Sequence, residues 1–125
     1  MTHRKLPTDA ELSILQVLWD QGPSGVRAVL RRLATDRDIG YTTVLKQMQI
    51  MTEKGLLIKD DSERPQVYRA ASPRRYTQKG LVRRLVDGAF AGSAGALALH
   101  ALETRKISPQ ERERIRVLLD GMEDE

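Results

Sequence analysis

Apolar side chains recur every three or four residues along most of this chain, in six helical runs separated by glycine, proline or polar links. The first run opens at Thr8 with Glu11 three residues on. This is a reciprocal capping pattern, in which each side chain satisfies an otherwise unpaired backbone N–H. Leu12, Leu15, Leu18 and Trp19 follow at helical spacing, and Gly22-Pro23 ends the run. A second helix fits Ser24 to about Ala34, capped by Ser24, with Val26, Val29, Leu30 and Leu33 inward and Arg27, Arg31 and Arg32 on its other side. The polar link Thr35-Asp36-Arg37-Asp38 and then Ile39-Gly40 lead to a third helix over about Thr42 to Lys54, stopped by Gly55. Val44, Met48 and Met51 form its apolar stripe, with Leu45 at the edge. The same wheel assigns Thr43, Lys46, Gln47, Ile50 and Lys54 to the far side.

The period then shortens. Leu56-Leu57-Ile58-Lys59 and Gln66-Val67-Tyr68-Arg69 read as strands joined by the polar loop Asp60 to Pro65, a hairpin. Beyond Ala70-Ala71, Ser72-Pro73 starts a helix carrying Leu81, Val82, Leu85 and Val86. A break falls near Gly88 to Gly95, a helix covers about Ser93 to Leu102, and Ser108-Pro109-Gln110-Glu111 repeats the capping signal. The last helix holds Ile115, Leu118, Leu119 and Met122. The expected fold is mainly α with a small β-hairpin: an N-terminal winged helix-turn-helix over residues 1–71 and a helical dimerisation region over 72–125. Some 50 residues make a small core without staples, and oligomerisation is the usual remedy. Leu81, Leu85, Phe90, Leu97, Leu102, Ile115, Leu118 and Leu119 are the side chains assigned to pairing.

Composition narrows the chemistry. The 125 residues carry 21 Lys+Arg against 17 Asp+Glu, a net charge of +4. The charge is even along the chain, with 11 basic and 9 acidic side chains before residue 71 and 10 and 8 from there on. Any surface for nucleic acid therefore depends on where a few charges stand. With no cysteine, disulfides, thiolate metal sites and cysteine nucleophiles are excluded, and two isolated histidines, His3 and His100, leave no zinc cluster and no catalytic base beside a hydroxyl. No cofactor is implied. Neither a membrane span nor a signal peptide is legible, so the expected compartment is the cytoplasm.

Three helices followed by a hairpin is the order of a winged helix, whose third helix enters the DNA major groove. That role asks for short donors at the helix start, and Tyr41, Thr42 and Thr43 stand there. It also asks for long donors one turn on, where Lys46 matches guanine acceptors and Gln47 adenine. Ile50 reads two ways, as a partner for a thymine methyl or as one exposed isoleucine; Lys54 completes the face. At the wing, Arg64 is the side chain to touch DNA, but Asp60, Asp61 and Glu63 repel phosphate, so the wing contributes modestly. Arg74, Arg75, Lys79, Arg83 and Arg84 form a basic stretch on the fourth helix, read as a solvated face. The alternative to DNA binding is a winged helix that docks a protein, which the acidic wing and Ile50 favour.

Asp9-Ala10-Glu11-Leu12 through Val17-Leu18-Trp19, then Gly40-Tyr41-Thr42-Thr43-Val44-Leu45, then Glu53-Lys54-Gly55-Leu56 resemble the penicillinase-repressor family, which includes the methicillin-resistance repressor. Phe90-Ala91-Gly92-Ser93 and the stretch from Ile107-Ser108-Pro109 to Leu118-Leu119 resemble it too. The resemblance implies a bacterial homodimeric repressor on a palindromic double-stranded operator, with a membrane sensor protease as a partner in the beta-lactam circuit. That protease cuts an Asn-Phe bond. Here His100-Ala101 occupies the place and the chain has no asparagine, while the absence of cysteine excludes the copper-responsive branch. Many relatives carry a basic residue around Gln49 and Ile50, so the resemblance does not carry over an operator sequence.

Overall fold

A computed structural model of the chain describes residues 6–122 apart from Asp36 and Glu63, so the expectations at those two positions and at His3 lie outside the described residues. In order along the chain come α1 (Asp9–Gln21), α2 (Val26–Leu33), α3 (Tyr41–Glu53), β1 (Leu57–Asp60), β2 (Val67–Ala70), α4 (Arg74–Ala89), α5 (Ala94–Thr104) and α6 (Pro109–Asp120). The described chain divides into two compact units, one up to Leu81 and one from Val82 on, and the division falls inside α4.

In the first unit, the α1 cap forms as the sequence predicts. The Thr8 hydroxyl accepts from the Glu11 N–H at 3.2 Å, and the Thr8 N–H donates to Glu11 Oε1 at 2.9 Å. The buried face of α1 is Glu11, Ile14, Leu15, Val17 and Leu18, and the half-buried Leu12 and Trp19 pack against the same core. Ser24 is not a helix cap. Its N–H and C=O bond Tyr68 at 2.9 and 2.8 Å as an isolated β-bridge beside the hairpin, and α2 starts two residues later behind Gly25. Backbone pairing outcompetes local capping there because a strand edge would otherwise leave its own donors and acceptors unmet.

The third helix begins at Tyr41, one residue earlier than expected, and ends as Gly55 predicts. Gly55 holds φ +84°, and the Leu56 N–H reaches back to the Met51 carbonyl at 2.9 Å. That bond uses Leu56, so β1 starts at Leu57 and the hairpin lies one residue beyond its expected bounds. Antiparallel pairing sets Leu57 opposite Ala70 and Lys59 opposite Tyr68. One core unites these pieces: Ile14, Leu15, Val17, Leu18, Val26, Val29, Leu33, Val44, Met48, Met51, Leu57 and Tyr68. The result is the expected winged helix.

From α4 on, the helices bury nothing completely, although α5 and α6 are well capped. Ser93 accepts from the Ala96 N–H at 3.0 Å, and Ser108 with Glu111 repeats the full capping box. The break is shorter than the glycine content suggests. Gly88 lies in α4 and Gly95 in α5, and only Phe90–Ser93 leaves the helix, with Ala91 at φ 50° and Gly92 at φ 85°.

Candidate nucleic-acid interface

The outer surface of α3 follows from what the inner surface buries. Val44, Met48 and Met51 have no solvent exposure, which anchors the helix on α1, α2 and β1. At about 100° per residue the arc opposite that stripe holds Thr42, Lys46, Gln49 and Glu53. All four are exposed, with Tyr41 and Thr43 exposed at the helix start. Gly40 is the N-cap residue and supplies no side-chain bond, so the first-turn N–H groups of α3 are left for another acceptor. From α2, the Arg27 guanidinium stacks over the Tyr41 ring at 4.9 Å and brings positive charge to that end.

Two residues expected on the outer face turn their side chains toward α1, although Lys54 stays exposed. The Lys54 ammonium donates to Glu11 Oε2 at 2.7 Å, and the half-buried Gln47 places its amide 3.5 Å from the same oxygen. A buried carboxylate recruits the donors within reach because no water is there to solvate it. Burial acts to raise the Glu11 carboxyl, but the Lys54 ammonium and the Thr8 N–H and hydroxyl outweigh it and hold the group below the ordinary glutamate range. Ile50, expected outward, is half-buried at the margin. Gln49, passed over in the sequence, takes the outward position. The wheel alone could have found it, had the centre of the outer face been set opposite Val44, Met48 and Met51.

The wing's tip is self-contained. The Ser62 N–H and hydroxyl both donate to Asp60 Oδ1, at 2.9 and 2.6 Å, and these bonds hold Asp60 below its usual value. Lys59 stands 3.6 Å from Asp61, and the Arg64 guanidinium donates to the Asp61 carbonyl at 2.7 Å. The acids that would repel phosphate are thus partly met by the wing's own donors. Among the described residues no cluster of histidine or acidic side chains is placed to hold a metal ion.

Against known proteins, the profile of the penicillinase repressor family matches residues 7–121. The chain belongs to the penicillinase-repressor family. Among relatives, the transcriptional regulator BlaI from two strains of Mycobacterium tuberculosis is 29% identical over 117 residues, covering 92% of this chain and 83% of the relative. Members of the penicillinase-repressor family are transcriptional regulators. The match runs through both units, so the C-terminal helices are as much a part of the family pattern as the winged helix is.

Of the residues assigned to pairing, none is buried within the chain. Leu85, Leu102, Leu118 and Leu119 are exposed, and Leu81, Phe90, Leu97 and Ile115 are half-buried. Val82, Leu99, Val117 and Met122 add further exposed apolar surface. Phe90 meets the His100 ring edge-on at 5.8 Å between centroids. Among the described residues no single helix is long and apolar enough to cross a membrane.

Proposed function

We propose that this protein is a cytoplasmic, homodimeric transcriptional repressor. Residues 1–71 read a palindromic operator through α3, and residues 72–125 make the dimer. The observation that carries this reading is the exposed arc at the start and middle of α3, in a chain of the penicillinase-repressor family. Tyr41, Thr42 and Thr43 meet backbone phosphates and the nearest base edges. Lys46 reaches guanine acceptors one turn deeper, with Gln49 beside it as a donor and acceptor for adenine. Ile50 and Arg64 sit at the margins, one against the groove wall and one at the wing.

The exposed leucines of α4, α5 and α6 support pairing, since helices that bury nothing alone have a face to cover. A two-fold dimer sets its two third helices roughly 34 Å apart, one turn of DNA, or a multiple of it. Repression follows from occupancy over a promoter, and release from whatever separates or cuts the dimer. With no asparagine in the chain, a sensor protease that acts on it uses a bond other than Asn-Phe.

The test is mobility shift of the protein's own upstream promoter DNA across a salt series. A steep loss of affinity with salt is expected, and Thr43→Ala and Lys46→Ala each weaken the specific complex. Binding indifferent to both would remove α3 from the interface. A protein partner captured without any selected DNA site would replace the repressor by a docking module.

A further inference from the structure

The described residues contain two capping boxes of the same chemistry, and they serve as controls for each other. At α6, Glu111 bonds the Ser108 N–H at 2.9 Å and stays exposed. At α1, Glu11 bonds the Thr8 N–H at the same distance yet is 1% exposed, among the most deeply buried large side chains of the core. Capping therefore does not require the burial. What differs is the other carboxylate oxygen, which takes Gln47 of α3 at 3.5 Å and Lys54, the residue that caps the C-terminus of α3, at 2.7 Å.

Gln47 and Lys54 are seven residues apart, about two helical turns, so they stand on one side of α3. One carboxylate on α1 therefore pins the third helix toward its middle and at its end. The apolar contacts of Val44, Met48 and Met51 hold α3 down, but they are non-directional and tolerate small rotations. Charge-assisted hydrogen bonds are directional and do not.

We propose that Glu11 is a positioning residue for operator recognition: through Lys54 and Gln47 it fixes the rotation of α3 about its axis, so that Thr42, Thr43, Lys46 and Gln49 face outward in one register. Lys54 then belongs to this latch and not to the phosphate contacts. The inference rests on the repressor reading and adds to it a residue remote from DNA.

The test uses the full chain as wild type, Glu11→Gln, Lys54→Met, Lys54→Arg and the Glu11→Gln/Lys54→Met double variant. Two duplexes serve as probes: one enriched by the wild type from the source's genomic DNA, and a scrambled duplex of equal length. Glu11→Gln and Lys54→Met are each expected to lower the ratio of specific to scrambled affinity roughly tenfold, within the range one well-placed base contact carries. Scrambled-duplex affinity and salt slope stay as in the wild type. The double variant is no worse than the worse single, and Lys54→Arg restores the ratio to within about twofold, as expected for one coupled unit.

A salt slope that falls by about 0.9 for each Lys54 removed, with weaker scrambled binding, would make Lys54 a phosphate contact and overturn the latch. An unchanged ratio in folded variants overturns it as well. If Glu11→Gln does not fold, the Lys54→Met and Lys54→Arg pair decides, since both leave the capping box whole. Should the wild type enrich no duplex, the role in recognition falls with the repressor reading. Coupling between Glu11 and Lys54 in urea unfolding then shows whether the latch itself stands, and its absence removes that too.

Discussion

Met48 and Glu11 mark the two ways in which single residues hold the third helix. Met48 has no exposed surface and fills the space beneath the helix. Met48→Ala is expected to lower unfolding stability by about 2–5 kcal/mol, read from the urea midpoint at constant slope. Glu11 contributes through charge, and its effect has a sign in pH. A carboxyl held below its ordinary value in the folded state binds fewer protons there than in the unfolded chain. Its stabilisation is complete above the unfolded value of about 4.3 and drains away as pH falls through the folded one. Urea unfolding between neutral pH and about pH 3 should show the wild type losing stability faster than Glu11→Gln. A parallel decline would mean that other carboxylates carry the acid limb.

Among the elements, capping boxes fix where α1 and α6 begin, and the junction at α4 decides what that helix is attached to. Removing either capping hydroxyl, by Thr8→Ala or Ser108→Ala, is expected to cost about 1 kcal/mol. The first loss appears in global unfolding of the winged helix. The second appears in hydrogen exchange of α6, where nothing buried compensates.

At the start of α4, the Trp19 indole N–H donates to the Ser72 carbonyl at 3.0 Å, and the Arg74 guanidinium lies 5.6 Å from the Trp19 ring centre while also pairing with Asp20. Asp20 also stands 3.7 Å from Arg32 of α2, so one exposed acid serves two arginines. The ion pairs are two-fifths exposed or more on each side and contribute under about 1 kcal/mol each. The Trp19 bond is the part-buried one among these contacts and is less open to screening by solvent. Trp19→Phe should raise amide exchange in the first turns of α4 while leaving α2 and α3 protected, and equal exchange throughout would show that the indole bond is dispensable.

For the molecule as a whole, the exposed leucines carry the prediction. A homodimer stabilised through α4, α5 and α6 has a melting temperature that rises with protein concentration. Leu118→Glu places a charge on that surface, where Leu118 is 61% exposed in the single chain. It should give a monomer by sedimentation, with a concentration-independent melting temperature and an unchanged near-ultraviolet signal from Trp19. A variant that remains dimeric would move the interface away from α6. Loss of operator binding in that monomer is the expected companion, because a single small module buries too little surface for tight binding.

Much of this was legible in the sequence because it is local. A capping box is two side chains and two N–H groups within four residues, so Thr8 with Glu11 and Ser108 with Glu111 announce their helices unaided. Gly55 marks the end of α3 for the same reason: its backbone adopts a conformation that glycine takes at no steric cost. The stripe of Val44, Met48 and Met51 likewise needs only the helical period.

Ser24 and Lys54 show where local reading stops. Ser24 has the chemistry of a cap, but Tyr68, 44 positions away, offers two backbone bonds, and that pairing places Ser24 at the hairpin edge. Lys54 has the chemistry of a phosphate contact, and a buried carboxylate 43 residues earlier holds it. The sequence by itself determined the elements, their order and the apolar stripe of α3, because those follow from bonds and periods within a few residues. The partners of polar residues such as Ser24 and Lys54 were decided only by tertiary structure, because a donor goes to the least solvated acceptor that folding brings within reach.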